Sequence, residues 1–257
     1  MVKIAFFDFD QTLYSHITNK IPESAAKAVN ELRKNGIKVF ICSGRSLCEM
    51  DYFDLTSITI DGMIANNGQA AYDTNNDLIF SHPISGKLKE IVVKKFTEKN
   101  VPIFLNTDRN VFANFINDAV IRTQVDINSP CPPAKEYEGE NFYMCSAFYT
   151  SKNDWDDLLA LKDLANITYW HDGAVDIVPN TASKANGIKE ILQLYNIDVS
   201  ETIAFGDAEN DIEMLKYCNI SIAVGNADEK VKEIVDYVTD DIDDDGIYNA
   251  CKKYNLI

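Results

Sequence analysis

Four carboxylates stand where chemistry is to be expected. Asp8 and Asp10 end the apolar run Val2 to Phe9, and Asp207 and Asp211 follow the apolar run Thr202 to Phe205. In open α/β sheets, ligands bind at the carboxyl ends of the strands, so these two distant stretches are expected to converge on one crevice. Four anions packed together repel unless some are protonated or a cation neutralises them. A donor set made only of oxygen suits a hard ion that keeps part of its water, and magnesium is the usual choice. Taken singly, a strand-end aspartate is more ordinarily a helix N-cap or a turn residue. The four together argue for a site.

The elements that must position these acids read as alternating patterns. Val2 to Phe9 suits a strand buried on both faces of a parallel sheet. Pro22 to Asn35 has helical spacing (Ala25, Ala28, Val29, Leu32), with Gly36 just past its end. Ile37 to Cys42 is a second strand, Ser46 to Phe53 a helix and Ile58 to Ala65 a third strand, a βαβαβ opening. Gln69–Tyr72 and Leu78–Ser81 flank Thr74-Asn75-Asn76-Asp77, which is hairpin-turn chemistry.

From Pro83 the pattern changes. A helix over Lys87 to Lys99 precedes strands at Pro102–Asn106 and Val111–Phe115, then a helix over Ile116 to Val125. A loop with Pro130, Pro132 and Pro133 follows, then a strand at Phe142–Tyr149, a helix at Trp155–Lys162, and strands at Ile167–Trp170 and Val175–Val178. Alternating order then returns, with helices at Ser183–Tyr195, Asp211–Lys216 and Glu229–Val235 and strands at Thr202–Phe205, Ile220–Val224 and Tyr237–Thr239. The expectation is an α/β protein: a parallel-sheet core of 1–82 and 180–257, interrupted by an inserted α+β module of 83–179.

Composition narrows the function classes. With 46% hydrophobic and 25% charged residues, the 257-residue chain has the make-up of an ordinary globular protein. Its 24 Lys and Arg against 40 Asp and Glu leave a net charge of −16, which repels nucleic acid and anionic lipid. No basic run offsets this, so neither nucleic acid nor membrane is expected as a partner. Cys42, Cys48, Cys131, Cys145, Cys218 and Cys251 are scattered, with no CxxC pair, and read as buried free thiols of a reducing compartment. No segment approaches the roughly 20 apolar residues of a membrane-spanning helix, and the start lacks signal-peptide character. A soluble, cytoplasmic protein is expected. The acidic run Asp240 to Asp245 lacks the spacing of an EF-hand and reads as a solvated loop.

Longer motifs sharpen this picture. Asp8-Phe9-Asp10-Gln11-Thr12-Leu13 resembles the DxDxT motif of the haloacid dehalogenase (HAD) superfamily, and Gly206-Asp207-Ala208-Glu209-Asn210-Asp211 resembles its GDxxND motif. Ser43-Gly44-Arg45 and Lys184 stand where the superfamily carries its Ser/Thr and its basic residue. Asn66-Asn67-Gly68, Val224-Gly225-Asn226-Ala227 and Asp245-Gly246 resemble the Cof-type subgroup, hydrolases with a type IIB cap. The resemblance implies a Rossmann-like HAD core with 83–179 as a cap at the C2 position. It also implies a Mg2+-dependent phosphatase acting on a small phosphorylated metabolite, such as a sugar phosphate or nucleotide-like phosphate.

By the same resemblance, Asp8 is the nucleophile that forms an aspartyl phosphate, and Asp10 the general acid and then base. Ser43 and Lys184 hold the transferring phosphoryl group, while Gly44, Arg45 and Asn210 are substrate contacts. Asp8, Asp10 (by its backbone carbonyl), Asp207 and Asp211 hold the metal. Thr12 steadies the loop or orients Asp10. Within the cap, Arg109, His171 and Asp176 are candidate contacts, although each also suits a structural or exposed role.

Some readings stay open on sequence alone. Lys184 opens an amphipathic helix and can be a surface cation; Ser43 can be a helix cap; Arg45 can meet a substrate anion or an acidic surface. Gln11 departs from the glycine usual in the subgroup and would be strained if its backbone has positive φ. A phosphomutase shares the Asp8/Asp10 arrangement, and a non-catalytic binding module shares the fold. A pure binder, however, has no need of both a nucleophile and an acid.

Overall fold

Strand β1 (Ile4–Asp8) is buried along its whole length, as its unbroken apolar run demands. It lies at the middle of an eight-stranded sheet in the computed structural model, which describes residues 1–126, 129–149 and 161–257. The other strands are β2 (Lys38–Cys42), β3 (Gly62–Ala65), β4 (Ala70–Asp73), β5 (Leu78–Ser81), β11 (Thr202–Gly206), β12 (Ile220–Ala223) and β13 (Tyr237–Val238). Their order is β13-β12-β11-β1-β2-β3-β4-β5, parallel as far as β3, with β4 and β5 added as an antiparallel hairpin. That hairpin turns on Asp73, whose Oδ1 accepts the backbone N–H groups of Asn75 and Asp77 at 2.8 and 2.9 Å.

Helix α1 (Glu23–Lys34) buries the expected stripe of Ala25, Ala28, Val29 and Leu32. Full burial of residues such as Val29 and Leu32 contributes about 1.5–3 kcal/mol each. The helix runs into Gly36, whose φ of +82° only glycine adopts freely. A short helix α2 (Leu47–Met50) follows β2. It is shorter than the expected Ser46 to Phe53.

The second set of elements makes a five-stranded antiparallel sheet of β6 (Ile103–Asn106), β7 (Val111–Ala113), β8 (Met144–Phe148), β9 (Ala165–His171) and β10 (Ala174–Pro179), in the order β7-β6-β8-β10-β9. Leu88, Val92 and Phe96 of α3 (Gly86–Glu98) pack on one face with Ile103, Leu105, Cys145, Ala147, Val175 and Ile177. Val120 of α4 (Asp118–Asp126) joins Phe104, Phe148 and Ala174, residues of alternate register. The helix expected over Trp155–Lys162 falls, over 155–160, outside the described residues.

The chain divides into two compact units, one of residues 1–45, 49–81 and 183–257, the other of residues 46–48 and 82–182. In the first unit the chain returns through α5 (Lys184–Tyr195), α6 (Ile212–Tyr217) and α7 (Glu229–Lys232). One helix, α8 (Gly246–Lys253), has no counterpart among the sequence expectations. Its buried Ile247, Ala250 and Cys251 have helical spacing, but they stand directly behind the acidic run that reads as loop. Among the described residues, no helix is long and apolar enough to cross a membrane. Cys42, Cys145, Cys218 and Cys251 are buried free thiols, Cys48 is partly buried, and Cys131 departs from the expectation in being exposed.

Candidate active site

The site begins where the sheet changes direction. β1 is flanked by β2 on one side and β11 on the other, and chain connections leave in opposite senses there. Phe7 pairs with Phe205 and their rings stack at 4.5 Å, so the carboxyl ends of β1 and β11 run out side by side. Asp8 and Asp207 therefore meet. Asp8 also pairs with Cys42, which puts Ser43 at the same edge. After Gly206 the chain folds back so tightly that a Cβ there would lie 2.7 Å from Cβ of Asp211. This lets Asp211 Oδ2 accept the N–H groups of Asp207 and Ala208 at 3.0 and 3.1 Å.

Lys184 is wholly buried, contrary to a surface role. Ser183 caps α5 by accepting the N–H of Asn186, and Lys184 follows as the first helical residue. Its ammonium donates to Asp8 Oδ1 and, at 2.6 Å, to Asp211 Oδ1. Burial pushes the Asp8 carboxyl well up and Asp211 adds to that, while Lys184 opposes both. Asp207 is pushed up by burial and by Asp211, although Thr12 Oγ1 donates to its Oδ1 at 2.7 Å. Thr12 thus holds Asp207 rather than Asp10. Burial works against the charge on Lys184, yet Asp211 and Asp8 hold its pKa above the ordinary value.

Asp10 has a different environment. Arg45 forks onto it, Nε to Oδ2 and Nη2 to Oδ1, both at 2.8 Å, and His16 Nε2 reaches Oδ1 at 2.8 Å. Burial pushes Asp10 up, but the Arg45 guanidinium and His16 outweigh it and hold the carboxyl below its usual value. Arg45 is thereby assigned to an acid of the site rather than to the surface. No role for His16 is legible in the sequence, because the ring reaches Asp10 only through the turn that follows Thr12. Gln11 does have the suspected backbone, φ 61°.

The remaining expected residues divide. Ser43 is buried, and its Oγ accepts the Arg45 N–H at 3.1 Å, a local turn bond rather than a helix cap. Gly44 lies against Asn67; a Cβ there would be 3.2 Å from Asn67 Oδ1. Asn210 is exposed, and the bonds to the Lys184 ammonium come from Asp8 and Asp211. The turn Asn66–Gly68, which follows β3, packs against both loops: Asn67 N–H donates to Ser43 O, and Gly68, at φ +89°, leaves no room for a Cβ beside Ser183 O. In the second unit, Asp176 accepts from Ser146 at 2.6 Å, His171 meets Asp126 at 3.3 Å, and Arg109 lies 3.9 Å from Asp108.

A metal ion is implied by the acids, and the residues fit one. Asp8, Asp207 and Asp211 each offer an oxygen within 4.8 Å of the others. The donors are all oxygen, and Asp8 and Asp207 are pushed up first by burial and further by the neighbouring Asp211. Both suit a hard divalent cation. The Asp10 carboxylate, held by Arg45, is outside this group.

Known proteins resemble this chain over nearly its whole length. A family described as haloacid dehalogenase-like hydrolase matches residues 5–251. YkrA of Bacillus subtilis, a phosphatase by name, is 31% identical over 99% of this chain and 98% of its own. A HAD-superfamily phosphatase of Bacteroides thetaiotaomicron superposes with a TM-score of 0.88 at 29% identity, over 100% of this chain and 96% of that one. A sugar phosphatase of HAD subclass IIB does so with a TM-score of 0.80 at 30% identity, over 100% of both chains.

Proposed function

We propose a mechanism and a substrate class for this chain, which belongs to the haloacid dehalogenase-like hydrolase family and is a phosphatase. The substrate is a small phosphorylated metabolite, a sugar phosphate or nucleotide-like phosphate, and the cofactor is Mg2+. Asp8 Oδ attacks phosphorus, the P–O bond to the alcohol breaks, and an aspartyl phosphate forms. Water then attacks that phosphorus, releasing phosphate and restoring the carboxylate. The observation that carries this reading is Asp8 itself, a buried carboxylate bonded to the buried Lys184 beside Asp207 and Asp211.

Lys184 and the Ser43 hydroxyl balance charge on the transferring phosphoryl group, and Gly44, Arg45 and Asn210 contact the substrate. Asp10 protonates the leaving alkoxide and later takes a proton from water. Held ionised as it is, Asp10 is ready for the second task. The first needs a proton on it, which must be taken up against the hold of Arg45 and His16 on the ionised form. Asp8, the Asp10 carbonyl, Asp207 and Asp211 would hold Mg2+, which when bound neutralises phosphoryl charge as a Lewis acid. Residues 83–179 act as a C2 cap that selects the organic part of the ester and excludes water.

The test is phosphate release with Mg2+ from a panel of phosphate esters. Asp8→Asn should abolish turnover without unfolding the protein. Asp10→Asn should cost roughly 10²–10⁴-fold on alkyl phosphates and less on p-nitrophenyl phosphate, whose leaving group needs no proton. Turnover by Asp8→Asn, or equal losses on both ester types for Asp10→Asn, refutes the assignment.

A further inference from the structure

Asp10 accepts three hydrogen bonds, and they are shared unequally. Oδ1 takes two, from Arg45 Nη2 and His16 Nε2, while Oδ2 takes one, from Arg45 Nε. A carboxylate oxygen has two lone pairs, so Oδ2 keeps capacity for a reacting proton and Oδ1 is filled. A fork from Arg45 alone would leave the two oxygens equivalent. The third donor breaks that equivalence, and it comes from His16.

The segment that delivers His16 is built for it. Its ring meets the edge of Tyr14 at 5.5 Å, Tyr14 packs on Phe53 at 4.8 Å, and the Arg45 guanidinium lies 4.7 Å over the same Phe53. Both donors to Asp10 therefore lean on one aromatic group. Around the histidine, Ser15 pairs with Lys20 across a tight turn and donates its hydroxyl to Asp243 at 2.9 Å. Before it stands Gln11, in a left-handed conformation that a residue with a Cβ adopts only at a cost. Its side chain does what the glycine usual there cannot: Oε1 accepts the backbone N–H of His16 at 3.2 Å. The Gln11 backbone is fastened as well, its carbonyl accepting from Asn226 at 2.7 Å.

We propose that His16 and Gln11 are positioning residues for Asp10. His16 bonds Oδ1 and so assigns proton transfer to Oδ2, and Gln11 tethers the segment that brings His16 there. The inference rests on Asp10 being the acid–base group of the phosphatase reading. A neutral imidazole with its hydrogen on Nε2 suffices, so no change of charge is involved.

Steady-state kinetics with saturating Mg2+ test it, using glycerol phosphate as the alkyl ester and p-nitrophenyl phosphate as the reference. His16→Ala should lower kcat on the alkyl ester roughly tenfold, the scale of one hydrogen bond to a charged group, with KM nearly unchanged. The loss on p-nitrophenyl phosphate should be smaller. His16→Gln, which keeps a donor at similar reach, should recover most of the loss. Gln11→Gly should lower kcat in the same sense, and the double variant should be no worse than His16→Ala alone. Equal losses on both esters, no rescue by His16→Gln, or additive losses in the double variant overturns the proposal. If Asp10→Asn itself shows no dependence on the leaving group, the phosphatase mechanism fails and this inference with it. If Asp10→Asn shows that dependence and His16→Ala does not, the inference alone falls.

Discussion

Replacing Lys184 with methionine removes one ammonium and little else, since the two side chains are similar in length and both suit a helix. The position is wholly buried and its ammonium bonds Asp8 and Asp211, so the change leaves two buried carboxylates facing each other without a cation. Breaking a buried pair in this way typically costs about 3–5 kcal/mol. For a chain of this size each kcal/mol shifts Tm by roughly 2–4 °C, so a fall of about 6–20 °C is expected in EDTA at pH 8.

The pH dependence gives a second handle on the same variant. Lys184 opposes the upward push on Asp8, so its loss raises that carboxyl further. An acid raised on folding binds its proton more tightly in the folded state, so stability falls as pH climbs from the unfolded towards the folded value. The variant extends this window upward. Its deficit should therefore be larger at pH 8 than at pH 5, and added Mg2+ should restore part of it at pH 8. Calorimetric melts of both proteins at the two pH values, with and without Mg2+, decide the matter. Equal melting temperatures, or a deficit that grows on acidification, would refute the charge argument.

Chelation by EDTA should abolish phosphate release and Mg2+ restore it, with Ca2+ a poor substitute because its larger, looser shell misplaces Asp8; full activity in metal-free buffer contradicts this. Gly68→Ala introduces a Cβ 1.9 Å from Ser183 O in a left-handed backbone. It should destabilise the protein by about 1–3 kcal/mol and lower kcat by displacing the start of α5, so wild-type values in both assays count against the packing argument. Alanine at Arg109, His171 or Asp176 should change the ranking of natural esters in kcat/KM more than the rate on any one chromogenic ester. A uniform fall on all substrates would instead give the cap a part in the chemistry.

Much of this protein is local in origin and so legible along the chain. The run Ile4–Asp8 is apolar on both faces and ends in acids, which defines a central parallel strand and a strand-end site in one stretch. The spacing of Ala25, Val29 and Leu32 is enough to place α1. That Asp8, Asp207 and Asp211 come close together follows from chain order and strand direction, without coordinates. The helix Gly246–Lys253 escaped because its apolar stripe is short and the acids before it dominate the local pattern.

What each acid does with its oxygens is decided elsewhere. Asp8 and Asp10 are two residues apart, yet burial drives one carboxyl up while Arg45 and His16 hold the other down. Thr12 serves Asp207, 195 positions away, and Lys184 reaches Asp8 across 176. Residue types along a strand state which donors and acceptors exist. Their pairing depends on register, on backbone turns such as the left-handed Gln11, and on burial, which sets how strongly charges act. Those are properties of the folded chain, so the sequence by itself determined the fold class and offered the candidate site residues, and the tertiary structure decided which partners each of them meets.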